Sequence, residues 1–126
     1  MEPVSLFDLA SKQARWLAVR QTSVAGNVAN ANTPGYLATD VEPFEKVLDR
    51  RPVTLAATQT GHFGTPSAKD KVAVRPVEYS GPELPSKNTV VLENELMKAG
   101  EIRRSFELNT AIVKAFHAMM MTVTKG

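Results

Sequence analysis

Proline sets the first limit on what this chain can become. Seven of its eight prolines fall between Pro34 and Pro85, together with most of the seven glycines. A proline inside a helix removes one hydrogen bond and clashes with the preceding turn, at a cost of about 3 kcal/mol. No long helix therefore crosses that span, and long helices are confined to the proline-free stretches on either side. Three zones result: a helix within residues 1–33, a Pro/Gly-rich middle over residues 34–87, and a helix within residues 88–126.

Periodicity agrees at both ends. In the first zone Leu6, Ala10, Leu17, Val24, Val28 and Ala31 recur at spacings of 4, 7, 7, 4 and 3, which places them on one helical face between Val4 and Ala31. Trp16 and Leu9 widen that face, and Ser5 suits the N-cap. In the third zone Leu92, Ala99, Phe106, Val113 and Met120 sit seven apart, with Ile102, Asn109, Phe116 and Val123 as a companion row. The AFHAMMMTV stretch continues this seam, and Asn88 or Thr89 suits the cap that opens the helix. At 1.5 Å per residue, Val90 to Thr124 makes a rod of roughly 50 Å. Ala111, Ala115 and Ala118 mark a second face off the seam, so a packed pair of helices leaves apolar surface for further partners.

The middle zone permits only short elements. Phe44 to Asp49 can form one helical turn, while Val53-Thr-Leu55 and Val72-Ala-Val74 alternate as short strands do. The fold class is accordingly mainly α, with two long terminal helices as a coiled-coil-like pair and an irregular middle with room for a short β-hairpin.

Between the first and second zones stands GNVANANTPGY, Gly26 to Tyr36. Thr33-Pro34-Gly35-Tyr36 suits a type II turn, with proline at the second position and glycine at the third. A helix ending explains one or two of the asparagines. Asn27 and Asn30, three apart and within the helical period, are expected to bond across to a neighbouring helix or subunit and fix register, as Asn109 would on the other helix.

Several chemistries find no support. With 15 basic and 13 acidic residues the net charge is +2, and no Lys/Arg stripe suggests nucleic acid. Cysteine is absent, which removes disulfides and thiolate catalysis. His62 and His117 are too few for a metal site, and no cofactor motif is present. Glu93, Glu95, Glu101 and Glu107 scatter around the last helix, as a solvated surface or salt links would require. Arg50-Arg51 and Arg103-Arg104 suit surface charge. No run is long enough for a membrane span, and the amino terminus does not have the form of a cleaved secretory signal.

Ser5 to Tyr36, with its NxANxxTPGY pattern (Asn27, Asn30, Thr33, Pro34, Gly35, Tyr36, and Asn32 within it), resembles the N-terminal signature of the flagellar basal-body rod protein family. Asn88 to Phe116 resembles that family's C-terminal block. The resemblance implies antiparallel terminal helices forming the axial core of a helical tube, with the middle facing outward. It also implies a drive shaft that carries torque from the membrane ring to the hook and filament. The implied partners are copies of the chain itself, other rod proteins, the MS-ring and rod-base junction proteins, and the flagellar type III export apparatus. Export without a cleaved signal to the basal body, across the periplasm, is implied likewise. The seam assigned to this work is Leu6, Leu17, Val24 and Val28 on one helix, with Leu92, Phe106, Asn109, Val113, Phe116 and Met120 on the other. The alternatives are another rod protein of the family, or a cytosolic helical adaptor or chaperone that binds a partner helix.

Overall fold

The structure, a computed structural model, describes residues 3–49 and 72–125. The expected strand at Val53–Leu55, the glycine-rich segment 58–70 with His62, and the Arg50–Arg51 pair lie outside the described residues. Five elements follow in order: α1 (Pro3–Ala29), β1 (Thr39–Val41), α2 (Phe44–Asp49), β2 (Val74–Pro76) and α3 (Leu92–Lys125).

Both long helices form where proline is absent, with ends that differ slightly from expectation. Helix α1 opens at Pro3 rather than after Ser5. A proline is tolerated in the first turn because the missing N–H would have had no partner there. Ahead of α3, the Asn88 Oδ1 accepts the Val90 N–H at 2.8 Å, and the Val91 carbonyl accepts the first helical bond, from Glu95 N at 3.1 Å. Asn88 thus organises the turn before the helix, and Val91 occupies the cap position.

The two helices pack antiparallel. Phe7 meets the edge of Phe116 with ring centroids 5.4 Å apart, Gln13 meets Asn109, Arg20 meets Glu101, and Asn27 meets Glu95. Each step of about seven along α1 is matched by a step of about seven backwards along α3, as in a coiled coil. The core is small: Leu17, Val24 and Ile102 are buried together, with Trp16 and Phe106 packed around them.

The middle zone rests on one side of this pair. Strands β1 and β2 run antiparallel with Thr39 opposite Pro76, Asp40 opposite Arg75 and Val41 opposite Val74. The strand expected at Val72–Val74 lies two residues further on, and its partner Thr39–Val41 was not anticipated. Pro76 fits because the bonds flanking that pair carry the sheet: Val77 N donates to Ala38 O at 2.8 Å. The missing N–H of Pro76 would point away from β1, where edge strands tolerate it. Helix α2 is the single turn expected, and its Phe44 ring tilts against Trp16 at 5.7 Å.

Leu17 is 0% exposed at the centre of a core with few other members. Leu17→Ala is expected to destabilise the fold by about 2–5 kcal/mol, through lost burial and a cavity that cannot collapse fully. Urea unfolding followed by circular dichroism measures this, and an unchanged midpoint would contradict the assigned core.

Candidate functional site

The amides of the helix exit converge on a buried joint. Asn27 is 0% exposed, and its side-chain nitrogen donates to Thr39 O at 2.7 Å and to Glu95 Oε2 at 3.1 Å. Its oxygen accepts the Thr39 N–H at 3.0 Å. One carboxamide thereby presents to β1 the donor and acceptor that a neighbouring strand would present. Only a side chain carrying both in one plane can do so, and aspartate would lack the two hydrogens. Ser23, one helical turn earlier, adds its hydroxyl to Thr39 O at 2.9 Å.

Charge extends the joint across three elements. Asp40 of β1 faces Arg20 Nε of α1 at 3.3 Å and Lys98 Nζ of α3 at 3.4 Å. Lys98 also reaches Glu95 at 3.5 Å, and Arg20 reaches Glu101 at 3.5 Å while its guanidinium lies 5.6 Å from the centre of the Trp16 ring. Trp16 Nε1 donates to Glu42 O at 2.7 Å, which anchors the far end of β1. Glu95 makes one of the expected salt links, to Lys98, but not on a solvated surface: it is 2% exposed. Burying an unpaired carboxylate costs several kcal/mol, so its amide and ammonium neighbours are what make the position tenable.

The turn itself is type II. Tyr36 N donates to Thr33 O at 3.3 Å, and Gly35 adopts φ +74°, a value that L side chains rarely take. Asn30 serves its own helix end, with its amide on Gly26 O at 2.8 Å and its oxygen on the Thr33 hydroxyl at 3.1 Å. Asn32 and Pro34 are exposed. The loop before α3 clamps this turn: Asn88 donates to both Asn30 O and Thr33 O at 2.8 Å, and Ser86 O accepts Gly35 N at 2.8 Å. At the other end of the hairpin Asn109 donates to Ala10 O at 3.0 Å and to Gln13 Oε1 at 2.9 Å.

The seam residues divide. Leu17 and Val24 are buried, while Leu6, Phe106, Asn109, Val113, Phe116 and Met120 are half-buried along the pair. Val28 and Leu92 are 42% and 46% exposed. A straight helix drifts about 20° per heptad, hence roughly 80° over the four heptads from Met120 back to Leu92, and the row winds off the interface. The row that faces α1 is instead Glu95, Ile102, Asn109 and Phe116. Val123, 79% exposed, ends that row where α3 outruns α1. The roles of Asp40 and Lys98, the burial of Glu95, and the clamp that Asn88 adds to its expected place ahead of the last helix were not read from the sequence. The one available signal was that Glu95 begins the Ile102–Asn109–Phe116 row, seven residues earlier.

Among the described residues no three His, Asp or Glu side chains are grouped so as to hold a metal ion, and no helix is long and apolar enough to cross a membrane. The site joins elements. Asn27→Ala is expected to cost roughly 1–3 kcal/mol, because it strands the Thr39 N–H and takes one partner each from Thr39 O and the buried Glu95 carboxylate. Thermal unfolding checks this, and hydrogen exchange should show faster exchange at the Thr39 amide; full protection there would contradict the joint.

No protein-family model matches the chain. A flagellar basal body rod protein FlgB of Agrobacterium fabrum is 46% identical over 129 residues, covering 99% of this chain and 96% of that protein. FlgB of Cereibacter sphaeroides is 31% identical over 128 residues, covering 94% and 95%. FlgB of Escherichia coli is 29% identical over 119 residues, covering 86% and 85%. With terminal helices, turn and joint all inside these near-complete matches, the chain belongs to the FlgB family of flagellar basal body rod proteins.

Proposed function

We propose that the chain is a subunit of the proximal rod, polymerising with its own copies and with other rod proteins into the helical shaft that transmits torque from the membrane ring to hook and filament. Its work is stiffness under torsion, with no turnover. Many small dispersion contacts between packed helices must slip together before such a shaft yields. Residues 1–33 and 88–126 supply the axial core in this reading, and residues 34–87 face outward, held by the Asn27 joint. The MS-ring, the rod-base junction proteins and the export apparatus are the further partners.

One observation carries the reading beyond the relatives' name. Helix α3 leaves Leu96, Met97, Leu108, Ile112, Met119 and Met121 between 44% and 66% exposed. Burying such a side chain fully is worth about 1.5–3 kcal/mol. The described core buries only Leu17, Val24, Ala38 and Ile102. Neighbours therefore offer the hairpin more apolar burial than its own interior does.

Phe106 and Val113 touch the helix pair itself, so a charge there would also weaken the subunit. Ile112, 44% exposed, separates assembly from folding. Ile112→Asp is expected to leave the circular dichroism spectrum unchanged and to abolish swimming, with basal bodies arrested before the rod in electron micrographs. Normal motility would count against the reading.

A further inference from the structure

Helix α3 carries a second apolar line that the hairpin does not use. Leu108, Ile112, Ala115 and Met119 recur at spacings of 4, 3 and 4, and all are exposed. Glu101 stands seven residues before Leu108 and pairs with Arg20, whose other partner is Asp40 of β1. The line thus follows the sheet side of the hairpin, beyond the end of the sheet. The opposite flank holds a groove of about 340 Å³ between α1 and α3. Val24, Ile102 and Phe106 line it, with Ala99 and Gln21 at its walls and the Arg103–Glu107 ion pair on its rim.

We infer that the Leu108–Met119 ridge of one copy seats in the α1/α3 groove of a second copy. The ridge is uncharged along Leu108, Ile112, Ala115 and Met119, and its small Ala115 lets a second backbone come close. Val24 and Ile102, 5% and 2% exposed, close the floor of the groove, while half-buried Phe106 and exposed Ala99 supply its reachable apolar surface, with an alanine where a larger residue would close it. Arg104, exposed at the head of the ridge, can share Glu107 on the groove rim, whose bond to Arg103 is between 83% and 67% exposed side chains and therefore weak. Ridge and groove lie on opposite flanks, so the contact joins unlike surfaces. Each copy keeps a free groove at one side and a free ridge at the other, and the assembly extends rather than closing as a dimer. The inference rests on the rod reading and narrows it to a head-to-tail contact between copies.

The absence of native cysteine makes the contact directly testable. Ile112→Cys on the ridge and Ala99→Cys in the groove are introduced into separate full-length chains, checked for helix content, mixed and oxidised with diamide. The mixed disulfide is expected in at least several-fold excess over either homodimer, and a chain carrying both substitutions should give a ladder of multimers. Homodimers and heterodimers in statistical proportion, or no cross-link, would overturn the inference. In parallel, the unaltered chain is expressed in a bacterium lacking its own copy. Restored motility without the mixed disulfide removes the ridge–groove contact and leaves the rod reading standing. The mixed disulfide without restored motility does the reverse.

Discussion

The side-chain amide of Asn27 is the contact on which the remaining geometry depends. It lies where α1, β1 and α3 meet, and it bonds to two of them from the third: Thr39 through both backbone groups, and Glu95 through its carboxylate. A hydrogen bond in water exchanges one partner for another and nets only about 0.5–1.5 kcal/mol. Asn27 and Glu95 are almost entirely shielded from solvent, so the alternative to these bonds is an unsatisfied buried group. That asymmetry gives one residue its leverage. Without it the Thr39 backbone keeps only the Ser23 hydroxyl on the helix side, and Arg20 and Trp16 are left to hold the two-stranded sheet against α1.

Apolar contacts alone would not fix how the two helices align. Heptad-spaced Leu, Val, Phe and Met side chains can exchange neighbours one repeat along with modest loss, because dispersion and burial are not directional. Polar marks remove that freedom. Asn27 with Glu95 near one end, and Asn109 with Ala10 and Gln13 near the other, each find partners in a single alignment. A slip of one heptad would part Asn27 from Glu95 and Asn109 from Gln13, and in one direction would set Asn27 against Ile102. The Arg20–Asp40–Lys98 ion chain adds less, since its members are 18–22% exposed and partly screened, but it ties the sheet to the same register.

How much of this could be read beforehand depends on which interactions are local. Helix extents followed from proline placement and periodicity, and the Thr33–Tyr36 turn followed from proline and glycine at adjacent positions. These are properties of short segments. Strand β1 escaped because three residues with an aspartate at the centre carry no alternation, and because its stability comes from Asn27, twelve positions away. Glu95 escaped because a carboxylate on an amphipathic helix is ordinarily solvated; burial here depends on an amide 68 residues earlier in the chain. Leu92 misled in the opposite direction. Asn27 already faces Glu95 and α1 ends at Ala29, so the seven-residue spacing reached Leu92 beyond the length of its partner helix, and a regular pattern outlasted the interface that it marked.

Polar and apolar groups have exchanged their usual places in this subunit. In an ordinary small domain apolar side chains fill the interior and polar ones face water. Here the described interior holds Asn27, Glu95, Asn88, Ser23 and Glu42 beside only four apolar residues, while α3 displays leucine, isoleucine and methionine outward. Directional bonds inside set one shape, because each requires a particular donor and acceptor at a particular distance. Non-directional apolar surface outside supplies attraction to whatever fits that shape. A subunit arranged in this way is poorly stabilised by its own core and is stabilised further by each neighbour added. Interlocking many copies would therefore raise the stability of every one, which is the property that a shaft under torsion requires.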